Sequence, residues 1–439
     1  MALGIRRVAT VNIEAWLIRH DDPTDEHFNT VWSMSIIRGA ASALVVSVIA
    51  YPAAILFNEP RLTHVILLFA IAIFITACEN VGMIFYQRQL QLRYLAVQKT
   101  IGRFAGVIVT VLLAFYLKNY WALVFGLLAQ NISSNIVSYA MHKYRPRFSL
   151  NYWREAFDYS KWLLGSNILD YIYKNFDRFF IGRVIGSSSL GVYSIAHEVA
   201  NAFTTEVVRP AGRALFPAYS KLKNEHSDLA IGFITGYSVF LVIGLPIASG
   251  IGLLAEPLVH VVLGSKWLDA IPLIQVLVVY SITTVGISNQ GPALMASGHV
   301  KQLLGLMLFA TAVLIPLAYL GGTQHGAIGV AVAVSFSNVV LFLVGLVITA
   351  GVLKIRIATL LDNTYRPVIA VIAMSSIVIQ CNNNLIANAF NSLSILVICT
   401  LIGAGVYIAS IYLLWRLARR PPGAEGKLLQ IIVEKMGAT

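Results

Sequence analysis

Two stretches of the chain carry almost no charge. From Gln302 to Leu353 there is no Asp, Glu, Lys or Arg, and from Pro367 to Trp415 there is none of these and no His. A helix needs about 20 mostly apolar residues to cross the hydrocarbon core of a bilayer. Applied along the whole chain, that criterion predicts spans at 36–57, 63–85, 100–117, 120–141, 162–183, 189–212, 231–255, 271–296, 302–320, 327–350, 367–387 and 393–415. The spans at 162–183 and 189–212 are the most polar of the set.

Twelve spans put both ends of the chain on one side. On that reading only Arg61, Lys118, Arg183 and Lys266 fall on the opposite side, and Arg38, Arg103, Lys174, Arg178 and Arg209 lie within spans. Every other Lys and Arg gathers with the termini, which the positive-inside rule assigns to the cytoplasm. Dropping the two polar spans would leave 142–230 in the cytoplasm with much apolar surface uncovered, so the charge pattern supports them.

Composition agrees. Of 439 residues, 58% are hydrophobic and 12% charged, against nearly half and a quarter in soluble proteins. This excludes a disordered chain and speaks against a soluble enzyme. The net charge of +12 is topological in origin and does not point to nucleic acid. Cys78, Cys381 and Cys399 give neither a zinc spacing nor a disulfide framework.

The predicted organisation is a cytoplasmic N-terminal segment (1–30), a first bundle of four helices (31–141), a cytoplasmic linker (142–161), a second bundle of six helices (162–353), two trailing helices (354–415) and a cytoplasmic tail (416–439). In the linker, Tyr152, Trp153, Phe157 and Tyr159 alternate with Arg154 and Lys161, which suits a helix lying in the membrane interface. The outer loops are short, the longest being about 256–270, and leave no room for an external catalytic domain.

Ionisable groups at membrane depth are costly unless paired or wet, and so each is a functional candidate. Asn167, Asp170, Lys174, Asp177 and Arg178 recur every three or four residues, on one helical face. Glu198, Thr205, Glu206, Arg209 and Arg213 line another. Local ion pairs such as Asp170–Lys174 and Glu206–Arg209 explain the same spacing equally well. Arg38 and Arg103 lie near span ends, where they can also snorkel to headgroups. Glu79 is too short to snorkel. Gln130, Asn131, Ser133, Ser134, Asn135 and Ser138 suit either a hydroxyl-rich substrate or contacts between helices, and Asn289 and Gln290 read the same way. His197-Glu198 begins a metalloprotease pattern, but Asn201 stands where the second His belongs, and no P-loop or dinucleotide fingerprint occurs. The expectation is a polytopic membrane protein without a cofactor or metal, not an enzyme.

The segment Tyr171 to Leu222 resembles the signature region of polysaccharide exporters, the Wzx-type flippases of the multidrug/oligosaccharidyl-lipid/polysaccharide exporter superfamily. The elements are Asp177-Arg178, Ile181-Gly182-Arg183, Leu190-Gly191-x-Tyr193, Arg209-Pro210 and Phe216-Pro217. Tyr120-Trp121-Ala122-Leu123, Tyr144-Arg145-Pro146-Arg147-Phe148, Leu17-Ile18-Arg19 and Thr30-Val31-Trp32 extend the likeness over about Ala15 to Gly351.

The resemblance implies an all-α polytopic fold of two helical bundles in a V-shaped alternating-access arrangement, with two C-terminal helices. It implies a substrate of polyprenyl-diphosphate-linked oligosaccharide, an H+ or Na+ gradient as fuel, and polysaccharide polymerase and export machinery as partners in a bacterial inner membrane. Family members carry two more spans ahead of the region matching residue 15. The expected explanation is a misplaced start codon. Arg38, Arg103, Lys174, Arg178, Arg209, Asn131 and Asn135 are candidates for the diphosphate and sugar, and Glu79, Asp170, Asp177, Glu198 and Glu206 for ion coupling. A multidrug or cation antiporter of the same superfamily, or an inactive truncated copy, is the alternative.

Overall fold

The computed structural model describes residues 13–56, 60–222 and 226–418, and the side chains of Arg209 and Arg213 lie outside the description, as do the first residues of the N-terminal segment and most of the C-terminal tail. Among the described residues there is no β-strand. This is the expected outcome for apolar sequence in lipid, where each backbone N–H and C=O must be paired within its own segment. Among the described residues, seven helices are long and apolar enough to cross a membrane. The chain forms two compact units, residues 1–171 and 172–439.

In the first unit, a short buried helix α1 (Ile13–Arg19) precedes α2 (Asp25–Leu56), α3 (Arg61–Ala77), α4 (Met83–Arg88), α5 (Leu92–Leu117), α6 (Trp121–Met141) and the start of α7 (Trp153–Phe180). The usual inside-out pattern is reversed. The buried positions of α5 are Gln98, Gly102 and Gly106, and those of α6 include Gly126, Asn131, Ser134 and Ser138. Leu44, Phe104, Phe115 and Tyr116 face outward. In water such a surface would aggregate, whereas in lipid it is solvated. The glycines let α5 and α6 approach closely. A Cβ on Gly126 would stand 2.9 Å from the Gly106 carbonyl oxygen, and one on Gly106 2.9 Å from the Gly126 oxygen.

The expected span 63–85 is not one helix. It stops at Ala77 and resumes at Met83. Asn80 causes the break. Its Oδ1 accepts from the Gly82 N–H at 2.8 Å and its Nδ2 donates to the Tyr144 carbonyl at 2.9 Å, while the Ser138 hydroxyl accepts from its backbone N–H at 3.1 Å. Nor is 153–161 a separate interfacial helix, because it is the first part of α7. Residues 142–150 run without regular structure along α2, where Asn29 Oδ1 accepts from the Arg147 N–H at 2.8 Å and Ser33 Oγ from the Ser149 N–H at 2.9 Å.

The second unit continues from the end of α7 through a π-turn (Ile181–Ile185) to α8 (Ser187–Ala200), a second π-turn (Thr204–Val208), α9 (Arg209–Leu222), α10 (His226–Leu253), α11 (Ala270–Ile287), α12 (Gln290–Ala296), α13 (Val300–Val352), α14 (Ile357–Ala387) and α15 (Ser392–Leu417). The expected helix 189–212 is therefore split. Asn201 leaves the helix and donates to the His197 carbonyl at 2.9 Å, and the Ser281 hydroxyl from α11 donates to Asn201 Oδ1 at 2.8 Å. Pro210 has no N–H to give, so the turn before it widens. The span 271–296 likewise breaks at 288–289. There Asn289 pairs with Tyr219 and donates to the Phe233 carbonyl at 2.8 Å. Helix α13 is two helices that meet at Gly326, where φ is +61°. This is the turn expected between the spans 302–320 and 327–350.

Candidate functional site

Among the described residues, each unit holds a cluster of ionisable groups. In the first unit it surrounds Glu79, which the break after α3 places in a turn rather than on a helical face. Lys99 of α5 lies 3.1 Å from both Glu79 oxygens, and Gln98 donates to Oε1 at 2.7 Å. The sequence assigned Glu79 to ion coupling, and its partners Gln98 and Lys99 went unremarked. Gln98 is fully buried and also donates to the Ser134 carbonyl at 3.1 Å, so the cluster is pinned to the α5–α6 interface.

Glu14, on α1, belongs to the same cluster. Its side chain is exposed to solvent. Desolvation, and then the Glu79 charge, push its carboxyl above the ordinary carboxylate range, opposed by Arg38 and Lys99. Arg38 is half-buried on α2, and Arg103 is exposed one turn beyond Lys99. Sequence reasoning missed Glu14 because it took residues 1–30 for a cytoplasmic segment. The available signal was Ile13, Trp16 and Leu17, which recur at helical spacing on either side of it. Asn131 is buried, with its Nδ2 unpartnered among the described residues. Asn135 instead donates to the Ile75 carbonyl at 2.8 Å, joining α6 to α3.

In the second unit, Asp177 and Arg178 meet one face of α8. Asp177 is 2% exposed. The Tyr193 hydroxyl donates to its Oδ2 at 2.7 Å, and its Oδ1 has no partner among the described residues. One helical turn along α8, His197 Nδ1 lies 3.1 Å from Arg178 Nη2, and Arg178 Nε is buried without a partner. An arginine held at one nitrogen and unsatisfied at another has donor capacity left for an anion. The resemblance contained Tyr193 in its motif but gave it no role, and the hydrogen bond supplies one. Below this layer, Tyr173 reaches Asn338 at 3.3 Å, and Asn338 donates to Thr283 Oγ1 at 2.7 Å and Thr284 Oγ1 at 3.0 Å.

The other sequence candidates do not converge so tightly. Asp170 and Lys174 are half-buried, and both take part in interactions. Glu198 and Glu206 are exposed and lie on separate pieces, Glu198 on α8 and Glu206 in the π-turn after it, so the single stripe expected at 189–212 is lost with the helix. The Arg209 side chain lies outside the described residues. Among the described residues no group of three His, Cys, Asp or Glu is placed to hold a metal.

A nearly all-apolar groove of about 550 Å³ runs between α10, α14 and α15, lined by Pro246, Ile247, Met374, Val378, Cys399 and Tyr407 among others. The Tyr407 hydroxyl closes one wall by donating to the Val242 carbonyl at 2.7 Å.

Comparison with known proteins places this geometry. The teichuronic acid biosynthesis protein TuaB of Bacillus subtilis (strain 168) is 24% identical over 385 residues, covering 84% of this chain and 77% of that protein. The lipopolysaccharide biosynthesis protein WzxC of Escherichia coli (strain K12) is 24% identical over 318 residues, covering 72% of this chain and 65% of WzxC. In fold, the chain is similar to the lipid II flippase MurJ in an inward closed conformation, with a TM-score of 0.65 at 15% identity over 95% of this chain and 90% of that one. It is also similar to an outward-facing multidrug resistance MATE family transporter of the MOP superfamily, with a TM-score of 0.63 at 18% identity over 80% of this chain and 84% of the transporter. The chain thus shares its all-α fold with these two proteins. The family model described as "Polysaccharide biosynthesis protein" matches residues 7–272, more than half of the sequence, and the chain belongs to that family.

Proposed function

We propose that this protein moves a polyprenyl-diphosphate-linked oligosaccharide from the inner to the outer leaflet of a bacterial cytoplasmic membrane, for the synthesis of a surface polysaccharide. Both termini lie in the cytoplasm on this reading, and the protein acts as a transporter rather than as an enzyme. The observation that carries it is the Asp177–Tyr193 and Arg178–His197 layer in the segment most like the exporters. It holds a buried carboxylate and an incompletely satisfied guanidinium side by side.

Arg178 binds the diphosphate through its planar fork of donors, with Arg38, Arg103, Lys174 and Arg209 as further cations along the path. Asp177 is the leading coupling group for H+ or Na+, since a buried acid with a free oxygen gains most from a proton or cation. Asp170, Glu198 and Glu206 rank behind it because they are less buried. Glu79 ranks behind it too, because Lys99 already neutralises it. The groove between α10, α14 and α15 suits the prenyl chain, which has no polar atoms to satisfy. Binding shifts an equilibrium between two arrangements of the protein only by its differential affinity for them. The polymerase and export machinery receive the product outside.

The test is a deletion strain complemented with this frame, scored for surface polymer and for lipid-linked oligosaccharide in the membrane. Loss of polymer on deletion, restored by the wild type but not by Arg178→Ala or Asp177→Asn at equal membrane expression, is the expected result. Normal export by both variants removes this layer from the transport path. Unchanged polymer and lipid intermediate on deletion, with no second exporter present, removes the flippase reading.

A further inference from the structure

Helices α14 and α15 are antiparallel neighbours joined by residues 388–391. Their backbones come close near Gly403, where a Cβ would stand 2.9 Å from Val378 Cγ2 and 3.6 Å from Met374 Cγ. One turn nearer the loop, the Cys399 thiol donates to Cys381 Sγ at 3.4 Å. Cys399 is buried and Cys381 half-buried, within one apolar cluster that includes Val378 and Ile395. The two residues lie six and seven positions from the ends of their helices at Ala387 and Ser392. At about 1.5 Å per residue, both thiols are therefore about 10 Å from the loop.

We propose that Cys381 and Cys399 close a disulfide in the mature protein. This rests on the orientation given under Proposed function, which puts the 388–391 loop on the outer side, where oxidising exchange partners maintain disulfides. The bonded sulfurs of a disulfide stand about 2 Å apart, so two thiols already in contact need only a small approach. The oxidant is a protein or small-molecule disulfide. Cys381, the more accessible, attacks it as thiolate, forms a mixed disulfide and releases one thiol of the oxidant. Cys399 then attacks the Cys381 sulfur and releases the second. Two cysteine thiols are oxidised, one disulfide is reduced, and the two protons end on the oxidant's thiols. The bond fastens α14 to α15 at the loop end of the apolar groove, which Cys399 lines.

The experiment counts thiols. Full-length protein in membranes is acid-quenched, denatured and treated with a polyethylene-glycol maleimide, with and without prior reduction. One adduct before reduction, from Cys78, and three after it are expected. With Cys78→Ser the counts become none and two. With Cys399→Ser they are two in both lanes. Three adducts without reduction overturn the disulfide. Orientation is read separately from Phe390→Cys in a chain whose three native cysteines are Ser, since Phe390 is exposed in the loop. Labelling of intact cells by an impermeant maleimide supports the outer placement. Labelling there together with three free native thiols sinks the disulfide alone, whereas protection from the reagent sinks the orientation and the disulfide with it.

Discussion

Replacing Gly126 by Ala tests the packing that holds the first unit's charged cluster. The new Cβ would lie 1.7 Å from Thr110 Oγ1, 2.9 Å from Thr110 Cβ and 2.9 Å from the Gly106 carbonyl oxygen. The hydroxyl can rotate away, but Thr110 Cβ and the Gly106 backbone cannot, so α5 and α6 must separate by a few tenths of an ångström. Overpacking of this kind costs about 1–3 kcal/mol, and the helix-propensity gain of Gly→Ala returns about 1 kcal/mol of it. A net loss of up to about 2 kcal/mol is expected, read as a lower midpoint for thermal unfolding in detergent followed by tryptophan fluorescence. Thr110→Ala removes the nearest clash, so Gly126→Ala/Thr110→Ala should be more stable than the sum of the single changes predicts, by about 1 kcal/mol. Because Gln98 and Lys99 ride on α5 and hold Glu79, the single variant should also complement export less well. A double variant that recovers nothing relative to the two single changes refutes the close approach of these helices.

Tyr193→Phe strips Asp177 of its hydroxyl donor, and a double-mutant cycle with Asp177→Ala, which removes the acceptor, should give a coupling of about 1 kcal/mol for a neutral carboxyl or about 2–3 kcal/mol for a carboxylate; zero coupling rules out the bond. Tyr407→Phe leaves the Val242 carbonyl unpaired beside the groove and should cost about 1–2 kcal/mol in the same melting assay. Burial, and then Arg145, hold His142 below the usual histidine range. The unfolded chain therefore binds this proton more readily than the folded one. The contribution of His142 is present above its unfolded pKa and is lost as the pH falls through the ordinary histidine range. Its Nδ1 accepts from the Tyr144 N–H at 3.1 Å, so His142→Asn should flatten the acid limb of a stability–pH profile, and an unchanged limb discounts the group.

Long apolar runs were legible because a bilayer admits one solution for them. The 302–353 run is too long for a single crossing, and the turn falls at Gly326, between the two spans expected there. Breaks made by single side chains were not legible. Asn80 ends a helix inside an apolar context by bonding to Gly82 and Tyr144, and the second of those partners is 64 residues away. Asn201 does the same through Ser281. The charged stripe at 189–212 failed with its helix, since a helical face has meaning only while the period lasts. Asp177 and Arg178 were found as charges inside an expected span, but their partners Tyr193 and His197 required the register of α8 against α7. The cysteine pair required the register of a hairpin, although six and seven residues from its two ends was countable in principle.

The turn at Gly326 bears on how the protein is made. Gly321 and Gly329 touch across it, since a Cβ on Gly329 would stand 1.9 Å from the Gly321 oxygen. The legs therefore meet without an intervening loop, and no charged residue lies between Gln302 and Leu353. During synthesis only the short polar connector Thr323-Gln324-His325 has to pass through hydrocarbon after the first leg enters. Residues 300–352 can leave the insertion machinery sideways as a ready-paired unit, with neither leg waiting in lipid for the other.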